Sequence, residues 1–183
     1  QAICFWWAMG DCLDSLLDAP RQHTGRIWCW NLCGHQVCLG PHWPCSVLMV
    51  ALITVIGWQF TVTIAAQMGT AQHCMGIAIT VSSLAAFLSC ALASPGFAPT
   101  AGPASAPKCS KCCVPQTPDV MHCDFCDVCI AGWDHHCPWT SKCIGVGNLS
   151  QFYLFLAVNC CSLVYICVVT MYAPLPEIDV TGG

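Results

Sequence analysis

The sequence predicts an α-helical integral membrane protein: three transmembrane helices with a small cysteine-rich domain inserted between the second and third. Three observations carry this. Of 183 residues, 56% are hydrophobic and only 8% charged, whereas a soluble domain carries about a quarter charged residues. No Lys, Arg, Asp or Glu lies between Arg26 and Lys108. Eight of the 19 cysteines fall between Cys109 and Cys143, together with three of the seven histidines. The same composition excludes disorder, which needs low hydrophobicity and high net charge, and a collagen-like chain, which needs periodic glycine. A formal net charge of −4 argues against nucleic acid as a partner, because phosphate binding requires a basic face.

Residues 1–45 read as an N-terminal cytosolic or interfacial segment. Trp6, Trp7 and the series Asp11, Asp14, Asp18 suggest at most a short interfacial helix. The chain starts at Gln1, and the stretch from Ala2 to Met9 is too short and lacks the basic leader of a signal peptide, so no export signal is expected. Cys29, Cys33, His35 and Cys38 can be drawn as a metal site. They are interleaved with Trp28 and Trp30 in an apolar segment, however, and interfacial packing is the expected reading there.

Ser46 to Ala66 and Cys74 to Ala93 each approach the roughly 20 apolar residues that a helix needs to cross the hydrocarbon core. The polar stretch Gln67 to His73 between them has room only for a tight turn, which predicts an antiparallel hairpin over residues 46–93. Residues 94–107 are rich in Pro, Ala and Gly and read as an extended linker. The cysteine-rich domain covers 108–151. A third span runs from Phe152 to Tyr172, and Pro174 and Pro176 stop it in the tail 173–183. Lys and Arg near span ends favour the cytosol. Arg21 and Arg26 before the first span, and Lys108, Lys111 and Lys142 between the second and third, therefore place both segments on the cytosolic face.

Within the insert, Cys109 and Cys112 form one C-x-x-C, and His122-Cys123, Cys126 and Cys129 repeat the same three-residue step. With His136 and Cys143 they supply eight ligands, the number that fills two tetrahedral zinc sites. A disulfide cluster conflicts with the expected reducing compartment. Cys113, His135 and Cys137 are left over. Cys113 directly follows a ligand and reads as a bystander. Cys137 follows Asp134 and His135 closely, and those three supply a nucleophile, a base and a carboxylate that orients the base. The alternative is that Cys137 substitutes for another ligand.

The insert resembles the cysteine-rich domain of the DHHC family of protein S-acyltransferases, or palmitoyltransferases. Asp134-His135-His136-Cys137 followed by Pro138-Trp139 is the family's signature, and the spacing of every ligand position around it matches. Cys143-Ile144-Gly145, Asn148 and Phe152 match the lead into the third span, and Ser94-Pro95-Gly96 is similar to the family's Asp-Pro-Gly element. The resemblance implies one structural zinc on Cys109, Cys112, His122 and Cys129 and another on Cys123, Cys126, His136 and Cys143. It further implies Cys137 as acyl acceptor, His135 as general base and Asp134 as its partner. The implied reaction moves a long-chain acyl group from acyl-CoA to Cys137 and then to cysteines of substrate proteins at the cytosolic membrane face, in ping-pong fashion. The acyl chain would lie between the helices. A multi-pass protein of the Golgi, the endoplasmic reticulum or the plasma membrane is expected.

Four departures from the family stand out. The family usually has four spans and a Thr-Thr-x-Glu element beyond the last, whereas this sequence reaches Gly183 after three, so either the gene continues or the acyl cavity lacks a wall. Ser141-Lys142 stand where the family favours Asn-Asn, and Asp119 stands where it favours Arg. Two competing readings follow: a zinc-stabilised membrane adaptor of the same family with impaired catalysis, and a membrane-bound ubiquitin ligase with a RING-like zinc pair. The latter gives the spare Asp-His-Cys set no role.

Overall fold

The computed structural model describes residues 24–173 apart from positions 33 and 104. Cys33, Arg21, Pro174, Pro176 and the Trp6, Trp7 and Asp11, Asp14, Asp18 group lie outside the described residues. The chain opens with an antiparallel hairpin, β1 (Trp28–Leu32) and β2 (His35–Leu39), which runs directly into the first long helix, α1 (Trp43–Thr63). A 3₁₀ turn (Ala65–Met68) leads to α2 (Thr70–Leu92). Two more antiparallel hairpins follow, β3 (Val120–Cys123) with β4 (Val128–Ala131) and β5 (His135–Cys137) with β6 (Lys142–Ile144), before α3 (Leu149–Tyr172).

All three helices are long and apolar enough to cross a membrane. Pro44 in the first turn of α1 needs no amide partner there, and α2 ends at Ala93 in extended backbone, two residues before Pro95. Inside a bilayer every polar group needs a protein partner. Thr54, Thr61, Thr63, Thr80 and Ser162 accordingly donate their hydroxyls to carbonyls one turn back on their own helices. The α1–α2 pair approaches through two glycines: a Cβ on Gly57 would lie 2.2 Å from the Thr80 hydroxyl, and one on Gly76 would lie 2.7 Å from that of Thr61. Small residues at such crossings let helix backbones close together where no hydrophobic drive exists. Ser83 on α2 and Ser162 on α3 share a hydrogen bond of 3.2 Å, and Tyr165 on α3 donates its hydroxyl to the Gln72 side chain.

Four boundaries differ from the sequence expectation, the first being that α1 begins at Trp43, three residues before Ser46, and ends at Thr63. The turn between the first two helices occupies residues 64–69, with Gly69 at φ 105°, so Thr70 to His73 belong to α2. Hydropathy marks that stretch as polar, but the Tyr165–Gln72 bond gives its polar side chain a place within the bundle. The third helix begins at Leu149, three residues early, after Asn148 receives the Gly145 amide on its side-chain oxygen. The linker is not a free connector throughout. The Ala98 amide donates to Cys129 O, the Ala131 amide to Gly96 O and the Gly147 amide to Pro95 O, so residues 95–98 pack as an added edge beside β4.

The first hairpin also departs from expectation. Cys29 and Cys38 are joined by a disulfide across β1 and β2, and among the described residues neither belongs to a metal quartet. Ile27, buried just before β1, packs with Cys123, Cys126 and Val128, and the Arg26 amide donates to Cys126 O. The hairpin is thereby docked on the cysteine-rich domain.

Candidate functional site

Two quartets of side chains converge in the cysteine-rich domain: Cys109, Cys112, His122 and Cys129 form one, and Cys123, Cys126, His136 and Cys143 the other. In each, the ligand atoms lie within 4.8 Å of one another. The local architecture repeats. Each begins with a C-x-x-C knuckle closed by a backbone bond to the first cysteine, from Cys113 N to Cys109 O at 2.9 Å and from Asp127 N to Cys123 O at 2.7 Å. The residue after each knuckle takes a left-handed conformation, Cys113 at φ 58° and Asp127 at φ 54°. Each quartet is completed by a His and a Cys that face each other directly across a hairpin, His122 with Cys129 and His136 with Cys143. Neighbouring side chains on a strand point to opposite faces, which sends His122 of β3 to the first quartet and Cys123 to the second.

The donor geometry fits zinc. His122 Nδ1 lies 3.7, 3.3 and 3.8 Å from the sulfurs of Cys109, Cys112 and Cys129. His136 Nδ1 lies 3.5, 3.4 and 3.6 Å from those of Cys123, Cys126 and Cys143. A tetrahedron with metal–sulfur bonds of about 2.3 Å and a metal–nitrogen bond of about 2.0 Å has edges of roughly 3.5–3.8 Å. The thiols themselves call for a cation. Hydrogen bonds from Cys126 and Cys143 pull the Cys123 thiol far below its usual range, while sharing that contact pushes Cys126 up to about 12 and raises Cys143. The three thiols thus compete for one negative charge, a competition that a bound cation would relieve.

The strand alternation that sends His136 to the metal quartet sends His135 and Cys137 to the opposite face of β5. Both line one pocket with Met49 of α1 and Phe152 and Phe155 of α3. His135 Nδ1 is 3.3 Å from the Asp134 carboxylate, and its ring packs edge-on against Phe152 at 5.1 Å. Cys137 is buried and packs on Ala86, Phe87 and Cys90 near the end of α2. Met49 and Phe155 also line a second, apolar cavity of ≈ 290 Å³ that runs between the three helices past Ile53, Ser83, Ser162 and Phe60. The thiol pocket and the cavity between the helices thus share the side chains of Met49 and Phe155. Of the leftover residues, Cys113 is exposed on the first knuckle, and Asp119 is exposed and accepts the Thr117 hydroxyl at 2.6 Å, away from the pocket.

A family model described as DHHC palmitoyltransferase matches residues 104–180. Residues 104–180 are thus similar to the DHHC palmitoyltransferase domain. Among similar proteins, palmitoyltransferase SWF1 of Saccharomyces cerevisiae is 47% identical over 58 residues, which cover 32% of this chain and 17% of the relative. Palmitoyltransferase ZDHHC3-A of Danio rerio is 38% identical over 66 residues, covering 36% and 19%. Protein S-acyltransferase 8 of Arabidopsis thaliana is 36% identical over 58 residues, covering 32% and 14%. These matches span less than a fifth of each relative's length.

Two features around the cysteine-rich domain are not legible in the sequence. His42, at the start of α1, lies 3.0 Å from His136; a separation of 94 residues carries no spacing signal. Lys142 was visible as a cation near Cys137 but not as a buried one. It is fully enclosed and donates from Nζ to the Ala91 carbonyl in the last turn of α2, where the helix dipole favours a cation. Ser46 donates to Trp139 O at 2.9 Å, and the Gly40 amide donates to the Ser141 hydroxyl at 2.9 Å, so the loop after Cys137 is tied to α1 and to the segment between β2 and α1.

Burial lowers the Lys142 pKa from 10.5 to about 8. Its folded pKa is below its unfolded one, so the folded chain sheds the proton first. Stability therefore rises as pH climbs from about 8 toward 10.5, by roughly 3 kcal/mol at most. Unfolding midpoints in detergent at the two ends of this window are expected to differ in this sense, and the Lys142→Met chain to lose most of the difference.

Proposed function

We propose that this chain is a protein S-acyltransferase that takes a long-chain acyl group such as palmitoyl from acyl-CoA onto Cys137 and passes it to cysteines of substrate proteins at the cytosolic membrane face. One observation supports this above the others: the Cys137 pocket shares Met49 and Phe155 with the apolar cavity between the helices. A thioester carbonyl at Cys137 would thus have its alkyl tail among apolar side chains, each buried CH₂ contributing about 0.8 kcal/mol.

In the first step His135, oriented by Asp134, takes the Cys137 proton. The thiolate attacks the thioester carbonyl carbon, the bond from that carbon to the CoA sulfur breaks, and CoA leaves with the proton held by His135. In the second, a substrate cysteine gives its proton to His135 and attacks the acyl-Cys137 carbonyl. The bond to Cys137 breaks, and the thiol regains the proton. The two quartets would hold structural zinc. With four protein ligands each they leave no position for a reacting group, and their part is to fix the strands that carry Cys137. Incubation of the purified chain with labelled long-chain acyl-CoA tests the proposal. A hydroxylamine-sensitive label is expected on the native chain, and a label that persists in Cys137→Ala would sink the assignment. A chain that binds zinc but takes no label is the adaptor of the competing reading.

Ser162 faces the middle of the cavity beside Ser83. Ser162→Phe is expected to shorten the space for the tail. Losing about two buried methylenes is worth about tenfold in rate, so the ratio of long-chain to medium-chain acyl-CoA turnover should fall by about that factor.

On this reading the zinc domain faces the cytosol, with Arg26, Lys108, Lys111 and Lys142 on one side of the helices. The first hairpin is docked on the same face, and a reducing compartment disfavours disulfides. Cys29 and Cys38, joined by a disulfide in the structure, are therefore expected to be reduced to thiols in intact cells and alkylated by a permeant maleimide before lysis. A pair that stays oxidised would move this face to an oxidising compartment.

A further inference from the structure

The two candidate zinc histidines differ in what stands behind them. Each turns Nδ1 toward its three sulfurs, so each has Nε2–H left to place. His122 Nε2 is buried without a hydrogen bond, 3.5 Å from Asp124 and 3.7 Å from Asp127. His136 Nε2 is 3.0 Å from Nδ1 of His42. With Nδ1 of His136 committed to the metal, its Nε2–H donates and His42 Nδ1 accepts, which puts the His42 proton on Nε2. Phe125 encloses the pair, stacked on His136 at 4.8 Å and edge-on to His42 at 5.8 Å. The His42 backbone is held as well: its amide donates to Ser141 O at 3.2 Å and its carbonyl receives the Cys45 amide at 3.0 Å.

We propose that His42, at the mouth of the first membrane helix, is the positioning residue of the second zinc site: by accepting the His136 Nε2–H it fixes the tautomer and ring orientation of that ligand. Partners of this kind raise the basicity of a metal-bound imidazole, and their loss costs about 10–100-fold in metal affinity. His42 lies outside the matched residues 104–180, so the device joins the membrane helix to the zinc domain and not the domain to itself. Because His136 precedes Cys137 in the same strand, the ring that His42 holds also sets the strand from which the thiol projects. The inference rests on the metal reading of the quartets and is independent of acyl transfer.

Two substitutions separate hydrogen bonding from packing. The Oδ1 of an asparagine stands where the Nδ1 of His42 stands, whereas leucine fills the space but accepts nothing. The zinc-loaded full chain in detergent is challenged with a chromogenic chelator, and both the amount and the rate of zinc release are read. The native chain should hold two zinc ions. His42→Leu should release one of them about 10–100-fold more readily and keep the other, while His42→Asn should hold both nearly as the native chain does. Equal retention in His42→Leu, equal loss in both variants, or loss from both sites together would each overturn the proposal. A native chain that binds no zinc would overturn both the proposal and the metal reading beneath it.

Discussion

The Cys137→Ala chain, purified with both quartets loaded, is expected to take no acyl group from acyl-CoA, and His135→Ala to slow acylation of the intact thiol by about 10²–10⁴-fold. The two variants probe different links. Cys137 belongs to neither quartet, so its removal should leave two zinc ions per chain by elemental analysis; loss of an ion would instead make Cys137 a ligand. His135 shares the Cys137 face of β5 and is held by Asp134 at 3.3 Å. On the proposed roles its truncation would remove the proton acceptor but leave the pocket. Asp134→Asn should fall between native and His135→Ala, because an amide still orients the ring but stabilises the imidazolium less.

Cys129→Ser is expected to unfold the cysteine-rich domain while the helices persist. Structural zinc sites contribute about 10–16 kcal/mol to folding, and this domain has little else: two short hairpins and two small clusters of buried apolar side chains, around Ile130 and around Val114 and Val120. Cys129 is buried, pairs directly with His122 and is within 3.8 Å of its Nδ1. The interleaving extends the damage, since His122 and Cys123 are consecutive on β3 but serve different quartets. Protease should then cleave between residues 108 and 148 while helical circular dichroism stays close to native, and a strong chelator should reproduce both effects in the native chain. Resistance to cleavage in either case would show that the domain does not depend on metal.

What the sequence made legible follows from the range over which each signal acts. The three spans are composition read over about 20 residues, and no local contact alters it. Their ends are set by particular contacts, such as the Asn148 side chain on the Gly145 amide or Tyr165 on Gln72, which composition does not contain. The eight quartet residues stand out because a knuckle and a hairpin impose fixed spacings. Cys137 and His135 stand out because they remain when those eight are removed. His42 and the burial of Lys142 depend on contacts across 94 and 51 residues, for which one sequence holds no local mark. The Cys29–Cys38 pair was read as apolar packing because the alternation that brings the two sulfurs together appears only once β1 and β2 are paired.

The measurement closest to the central claim is a single-turnover reaction of the purified chain with acyl-CoA in the absence of any protein acceptor, followed by CoA release and peptide mass mapping. The account predicts one equivalent of CoA released per chain and the acyl group on the peptide that carries Cys137. No release until an acceptor protein is added, or an acyl group found on exposed Cys113 or Cys160 and not on Cys137, would contradict it.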